Sequence, residues 1–173
     1  GMLQALHELP QPTIARVQGA AYGGAVGLVS CCDMAIATDR AGFALSEVKI
    51  GLIPATISPY VIRAIGERAA RRYFQTAERF DAGTALALGL LSDVVDEHAI
   101  DTRIDDLAGQ LLANGPAALA AAKELALGVS GRAIDETVLS ETSELIARVR
   151  VSDEGQEGLT AFLEKRKPAW TSS

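Results

Sequence analysis

Between Val17 and Cys32 the chain carries no charged side chain, and Gly19, Gly23, Gly24 and Gly27 fall within the same run. Small apolar residues on every side predict a helix over residues 23–32 that is buried all round, with glycines that admit another backbone or a ligand. Such a helix needs covering layers, and its flanks supply them. Residues 13–17 are rich in β-branched side chains and follow the turn Pro10-Gln11-Pro12, so they read as a short buried strand that Gly19 ends. Asp33 closes the helix, residues 34–38 form a second apolar strand, and residues 43–45 form a third beyond the polar turn 39–42. Strand, helix and strand in this order predict a crossover unit of an α/β fold. The uncharged run itself includes Gln18 and Ser30 and falls short of a membrane span.

Residues 46–57 hold Gly51 and Pro54 and read as an irregular loop, the kind of segment that carries function on a rigid scaffold. Beyond it the pattern turns helical. Apolar residues at three- and four-residue spacing predict helices over 59–65 and 67–77, separated by Gly66. A short helix over 82–88 follows the cap candidate Asp81, then a strand at Val94-Val95. Helices over 100–113, 116–127, 134–150 and 157–165 complete the chain, with Pro116 suited to a first turn and Gly115 to the end of the preceding helix. The organisation expected is an α/β portion over 2–96 and a helical portion over 97–173. One crossover unit is a thin sheet for so many helices, so a further partner segment is expected.

A length of 173 residues, 49% hydrophobic and 22% charged, is that of a folded globular domain. The net charge of −6 and pI near 4.9 argue against a nucleic-acid partner, which requires clustered Lys and Arg. The basic runs, residues 68–72 and 165–167, are short; each suits a solvated helix face or the local reception of a phosphorylated small molecule. Cys31 and Cys32 are adjacent and cannot form a loop-closing disulfide framework, which implies a reducing compartment. His7 and His98 have no partners at metal-ligand spacing and read as surface or interface residues. No secretory signal fits the first residues, Gly1-Met2 reads as a trimmed tag before an initiator, and a cytoplasmic location is expected.

Two features carry chemistry. Gly23-Gly24 opens the buried helix, where unpaired N–H groups and the positive dipole end can stabilise charge developing on a carbonyl oxygen. Glu47 follows a strand, and a carboxylate near the same point can move a proton to or from the adjacent carbon. Each feature has a plainer reading, a packing device for the glycines and a solvated loop residue for the glutamate.

The wider pattern narrows the choice. Gln11-Pro12-Thr13-Ile14-Ala15-Arg16-Val17-Gln18-Gly19-Ala20-Ala21-Tyr22-Gly23-Gly24 resembles the signature of the crotonase (enoyl-CoA hydratase/isomerase) superfamily. The likeness continues in register through residues 32–37, 43–54, 82–91 and 158–170. It implies a ClpP/crotonase-like ββα spiral core with a C-terminal helical trimerisation region, assembled as a homotrimer or dimer of trimers. It further implies that Gly24 gives one N–H of an oxyanion hole and that Glu47 is the catalytic carboxylate. Gly23, Gly27 and Pro54 would line the substrate site, and Phe162 and Lys165 would help hold the nucleotide of coenzyme A across a subunit boundary. Coenzyme A enters as part of an acyl-CoA thioester substrate, and neither a further cofactor nor a metal is implied.

Two departures from the family pattern matter. Its members begin with a further block of strands bearing the second oxyanion donor, which this sequence lacks, so the expectation is either a truncated form or a degenerate member, inactive alone. Gly27 also stands where two-glutamate hydratases carry their second carboxylate, leaving Glu47 to handle every proton. The mixture of motifs resembles bacterial methylglutaconyl-CoA hydratases of leucine or acyclic-terpene breakdown. Addition of water to an enoyl-CoA is therefore the leading expectation. A Δ3,Δ2-enoyl-CoA isomerase, which needs one carboxylate, and a non-catalytic acyl-CoA-binding or oligomerising remnant are the alternatives. A dinucleotide site fails on spacing, because Tyr22 occupies the place of the first glycine of Gly-x-Gly-x-x-Gly.

Overall fold

A computed structural model describes residues 1–172, which divide into two compact units. The first comprises residues 1–9 and 13–106, the second residues 10–12 and 107–172. In the first unit, α1 (Met2–His7) precedes β1 (Ile14–Val17), β2 (Ala20–Tyr22), α2 (Gly24–Cys31), β3 (Met34–Thr38) and β4 (Gly42–Ala44). A 3-10 turn (Glu47–Ile50), α3 (Ser58–Thr76), β5 (Phe80–Asp81), α4 (Ala82–Ala87), β6 (Asp93–Val95) and the start of α5 (Ile100–Leu112) follow.

The strands form two three-stranded sheets, ordered β1-β3-β6 and β2-β4-β5. In the first, β1 pairs in parallel with β3 from Ile14 opposite Met34 to Val17 opposite Ala37, and β3 pairs in parallel with β6. The expected crossover is thus β1–α2–β3. Its ends are tied by Asp33, whose Oδ2 accepts hydrogen bonds from the Thr13 N–H and hydroxyl at 2.8 and 2.9 Å. The second sheet pairs β2 with β4 in parallel and β4 with β5 antiparallel. Val26, Ile36, Ala37, Phe43, Leu45 and Val61 are completely buried, and Phe43, Phe80 and Tyr73 stack in sequence along the same core. Thr38, a buried polar residue among them, satisfies its hydroxyl on the Gln18 carbonyl at 3.1 Å.

Several expectations are corrected. The loop over 46–57 is not irregular throughout, because its first residues wind into the 3-10 turn that Gly51 ends in the left-handed conformation at φ 75°. The break expected at Gly66 is present: α3 joins two helices across a kink where Gly66 leaves helical geometry at φ 78° and ψ 157°. β2 and β5 are too short to show an alternating pattern, and α1 precedes the first apolar period, so none of the three was expected. Asp81 is the cap proposed for α4, its Oδ1 accepting the Thr84 N–H at 2.7 Å.

The second unit packs α6 (Pro116–Val129), α7 (Glu136–Val151) and α8 (Asp153–Glu164) against one another. α8 starts at Asp153 rather than at residue 157, because the Ser152 hydroxyl accepts the Gly155 N–H and caps a turn that precedes the apolar period. Gly115 caps α6 without a side chain, and the Glu154 carboxylate of α8 accepts the Ala117 and Ala118 N–H groups at 3.0 and 2.8 Å. That contact complements the dipole of α6 and fixes α8 against it. No described helix is long and apolar enough to cross a membrane.

Candidate active site

The site is built where β2 passes into α2. Gly23 is the N-cap of α2 at φ 52° and ψ −119°, a conformation that a Cβ opposes, and its N–H donates to the Ala44 carbonyl of β4 at 2.9 Å. This bond holds the start of α2 beside the residue that leads into the 3-10 turn. Val26 N–H returns to the Gly23 carbonyl at 2.9 Å. Gly24 is the first helical residue, so its N–H has no acceptor within the helix, and the glycine before it offers no capping side chain. Gly24 is exposed, and an atom added as Cβ there would meet nothing within 4 Å, so a ligand can approach the start of the helix closely.

Glu47 opens the 3-10 turn beyond β4 and returns to the same point. A Cβ built on Gly23 would lie 3.0 Å from Glu47 Oε1, so the carboxylate rests against the glycine that precedes Gly24. Glu47 Oε2 is buried and receives no hydrogen bond from the described residues. Buried carboxylate oxygens are ordinarily satisfied, and one left unpaired beside an open helix N-terminus has its capacity available for a proton or a donor from a ligand.

Next to Gly24 a cavity of about 540 Å³ is lined by Leu3 of α1, Leu28 of α2, and Thr56, Ile57 and Tyr60 at the start of α3. The size and apolar lining suit an acyl group. Gly27, one turn beyond Gly24, is buried with its α-carbon face filled by Ile57: a Cβ there would fall 2.2 Å from Ile57 Cγ2. Pro54 is buried within the loop, flanked by a hydrogen bond from Ala55 N–H to the Ile53 carbonyl at 2.8 Å. Ile57, Leu3 and Tyr60 were not singled out from the sequence. Ile57 ends a segment without periodicity, and nothing local signals that it opposes Gly27.

Phe162 and Lys165 belong to the second unit. Phe162 is 80% exposed on α8, and Lys165 caps that helix in the left-handed conformation at φ 55°, its side chain exposed. The histidine His7, expected at a surface or interface, is half-buried, with its ring edge-on to Tyr60 at 5.3 Å and Arg63 Nη1 3.3 Å from its Nε2. Burial pushes the Cys31 thiol up to about 11, which keeps it protonated and unsuited to nucleophilic work at neutral pH. Among the described residues no cluster of three His, Cys, Asp or Glu side chains is placed to hold a metal ion.

The enoyl-CoA hydratase/isomerase family profile matches residues 1–173. An enoyl-CoA hydratase structure from Shewanella pealeana superposes with a TM-score of 0.94 at 54% identity, covering 98% of this chain and 63% of that one. The Pseudomonas aeruginosa AtuE structure superposes at 0.92 with 39% identity, covering 98% and 66%. Carnitinyl-CoA dehydratase of Citrobacter koseri is 33% identical over 174 residues, 97% of this chain and 66% of its own length. A Thermus thermophilus relative, 34% identical over 164 residues, is covered over 64% of its length, so the chain spans about two thirds or less of the proteins it matches. The fold is the crotonase-like α/β fold, and the chain belongs to the enoyl-CoA hydratase/isomerase family.

Proposed function

We propose that the protein of which this chain is a part adds water to an α,β-unsaturated acyl-CoA thioester. The observation that carries this reading is the approach of the Glu47 carboxylate to Gly23, beside the Gly24 amide at the start of α2. The thioester carbonyl accepts the Gly24 N–H, which withdraws electron density from the conjugated double bond and stabilises the enolate oxygen as it forms. Water adds through oxygen to the β-carbon, Glu47 accepts the proton that the water loses, and the same carboxylic acid returns a proton to the α-carbon. The product is the 3-hydroxyacyl thioester, and Glu47 ends as the carboxylate it began as.

In this reading Gly23 leaves room for the Glu47 carboxylate, Gly27 leaves room for the Ile57 side chain that lines the acyl cavity, and buried Pro54 holds the loop that carries Glu47. Lys165 pairs with a phosphate of the nucleotide while Phe162 offers an apolar surface beside it. The exposed Leu139, Ile146, Phe162 and Leu163 of α7 and α8 support a homotrimer or dimer of trimers, in which copies of the chain cover them. The motif resemblance nominates 3-methylglutaconyl-CoA as the acyl substrate.

A second reading draws on Gly27. With no second carboxylate at that position and its space taken by Ile57, a one-carboxylate proton shift between the α- and γ-carbons is also chemically complete. One experiment separates the readings. In the full-length protein, Glu47→Gln is expected to lower hydration by about 10²–10⁴-fold while thioester binding, read by thermal shift, persists. An unchanged rate removes Glu47 from the mechanism, and turnover of β,γ-enoyl but not α,β-enoyl thioesters by the unsubstituted enzyme replaces hydratase by isomerase.

A further inference from the structure

Gly24 and Gly27 lie three residues apart on one face of α2, and the space above Gly27 is occupied by the side chain of Ile57. Ile57 is the N-cap of α3 and is 5% exposed, so its position is fixed from both sides. It also lines the cavity that contains Gly24, together with Leu28 and Tyr60. We infer that Ile57 is the residue that limits acyl-chain length in this site, an inference that rests on the acyl-thioester reading above.

The argument is geometric. A thioester carbonyl bound at the Gly24 amide directs its acyl chain along the face of α2 on which Gly27 lies. Three residues of helix advance about 4.5 Å, roughly the contour of three carbon–carbon bonds. A chain entering at Gly24 therefore reaches Ile57 near its γ-carbon. A four-carbon enoyl group ends at that point and a five-carbon chain such as that of 3-methylglutaconyl sets its last carbon against the branched side chain, whereas a longer one must pass it. Ile57 cannot withdraw toward α2, because Gly27 already gives it the room that a Cβ would have taken. The absent side chain at Gly27 and the bulk at Ile57 are thus two halves of one wall, made of hydrocarbon where a second acid would otherwise stand.

The test uses the full-length enzyme with trans-2-enoyl-CoA thioesters of four and eight carbons. Ile57→Ala is expected to raise the ratio of kcat/KM for the eight-carbon over the four-carbon substrate by about tenfold, the scale of discrimination that a change in pocket hydrocarbon yields. Ile57→Val retains both Cγ atoms and is expected to keep the ratio within about threefold of the unsubstituted enzyme. A role confined to packing lowers both substrates together and leaves the ratio flat; a flat ratio for Ile57→Ala overturns the inference while the functional reading stands. Absence of turnover of either thioester by the unsubstituted enzyme overturns the reading, and the inference with it.

Discussion

Replacing Gly23 with alanine tests the geometry on which the site depends. Two separate effects are expected, and the structure gives the scale of each. At φ 52° and ψ −119° an L-residue is strained, and holding alanine there costs about 1–3 kcal/mol. The new Cβ would also stand 3.0 Å from Glu47 Oε1, tighter than ordinary contact, so the carboxylate has to give way. A shift of order 1 Å in a reacting group costs on the order of 10² in rate. Stability is read by urea unfolding followed by circular dichroism, in Gly23→Ala and in Gly23→Ala combined with Glu47→Ala. Backbone strain survives removal of the glutamate, whereas the contact does not, so most of the destabilisation should persist in the double variant. Turnover of an enoyl thioester by the single variant should fall further than its folded fraction does. Stability and activity both equal to those of the parent would show that the turn is not in the left-handed region and that Glu47 does not rest on Gly23.

Gly27→Ala drives a Cβ to 2.2 Å from Ile57 Cγ2, an overpacking expected to cost about 1–3 kcal/mol in unfolding free energy and to be partly relieved by Ile57→Ala, which a double-variant cycle measures. Asp81→Ala removes the cap of α4 and should cost about 1 kcal/mol by denaturant unfolding, with Asp81→Asn restoring most of it. Hydrogen bonding from the Arg166 guanidinium, with help from the Ala169 N–H, holds the Glu157 carboxyl down at about 2. Because its folded value lies below the unfolded one near 4.5, the stabilisation is complete above that value and is lost as pH falls toward 2. Thermal unfolding followed by Trp170 fluorescence should show this acid-side loss in the parent and less of it in Glu157→Gln.

The parts of the fold that were legible from sequence are those where one local rule dominates. α2 announced itself because no charge interrupts it, and β1 and β3 because β-branched runs sit against it in a crossover order. Asp81 was readable as a cap since a carboxylate before a helix has a specific N–H to accept. By contrast, β2 pairs with β4 through only three residues, and its placement follows from that pairing rather than from any pattern of its own. The break at Gly66 was readable as well: this residue leaves helical geometry, and the two halves of α3 on either side of it are held by the core at Val61, Ile65, Ala70 and Tyr73.

The candidate site follows the same division. Gly23, Gly24 and Glu47 were identifiable as residue types suited to an oxyanion and a proton carrier, but their convergence depends on the Gly23 N–H to Ala44 carbonyl bond between neighbouring strands. Ile57 shows the converse. Its importance arises from what Gly27 lacks, thirty residues away, and a missing side chain leaves no mark in the sequence around the residue that fills its place. A glycine in or beside a half-buried helix is therefore informative chiefly through the partner that occupies its space: at Gly23 that partner is a carboxylate and the consequence is chemical, while at Gly27 it is a hydrocarbon branch and the consequence is shape. Gly23 caps the helix whose first turn ends at Gly27, so a single segment of backbone sets both the position of the proton carrier and the wall against which an acyl chain would lie.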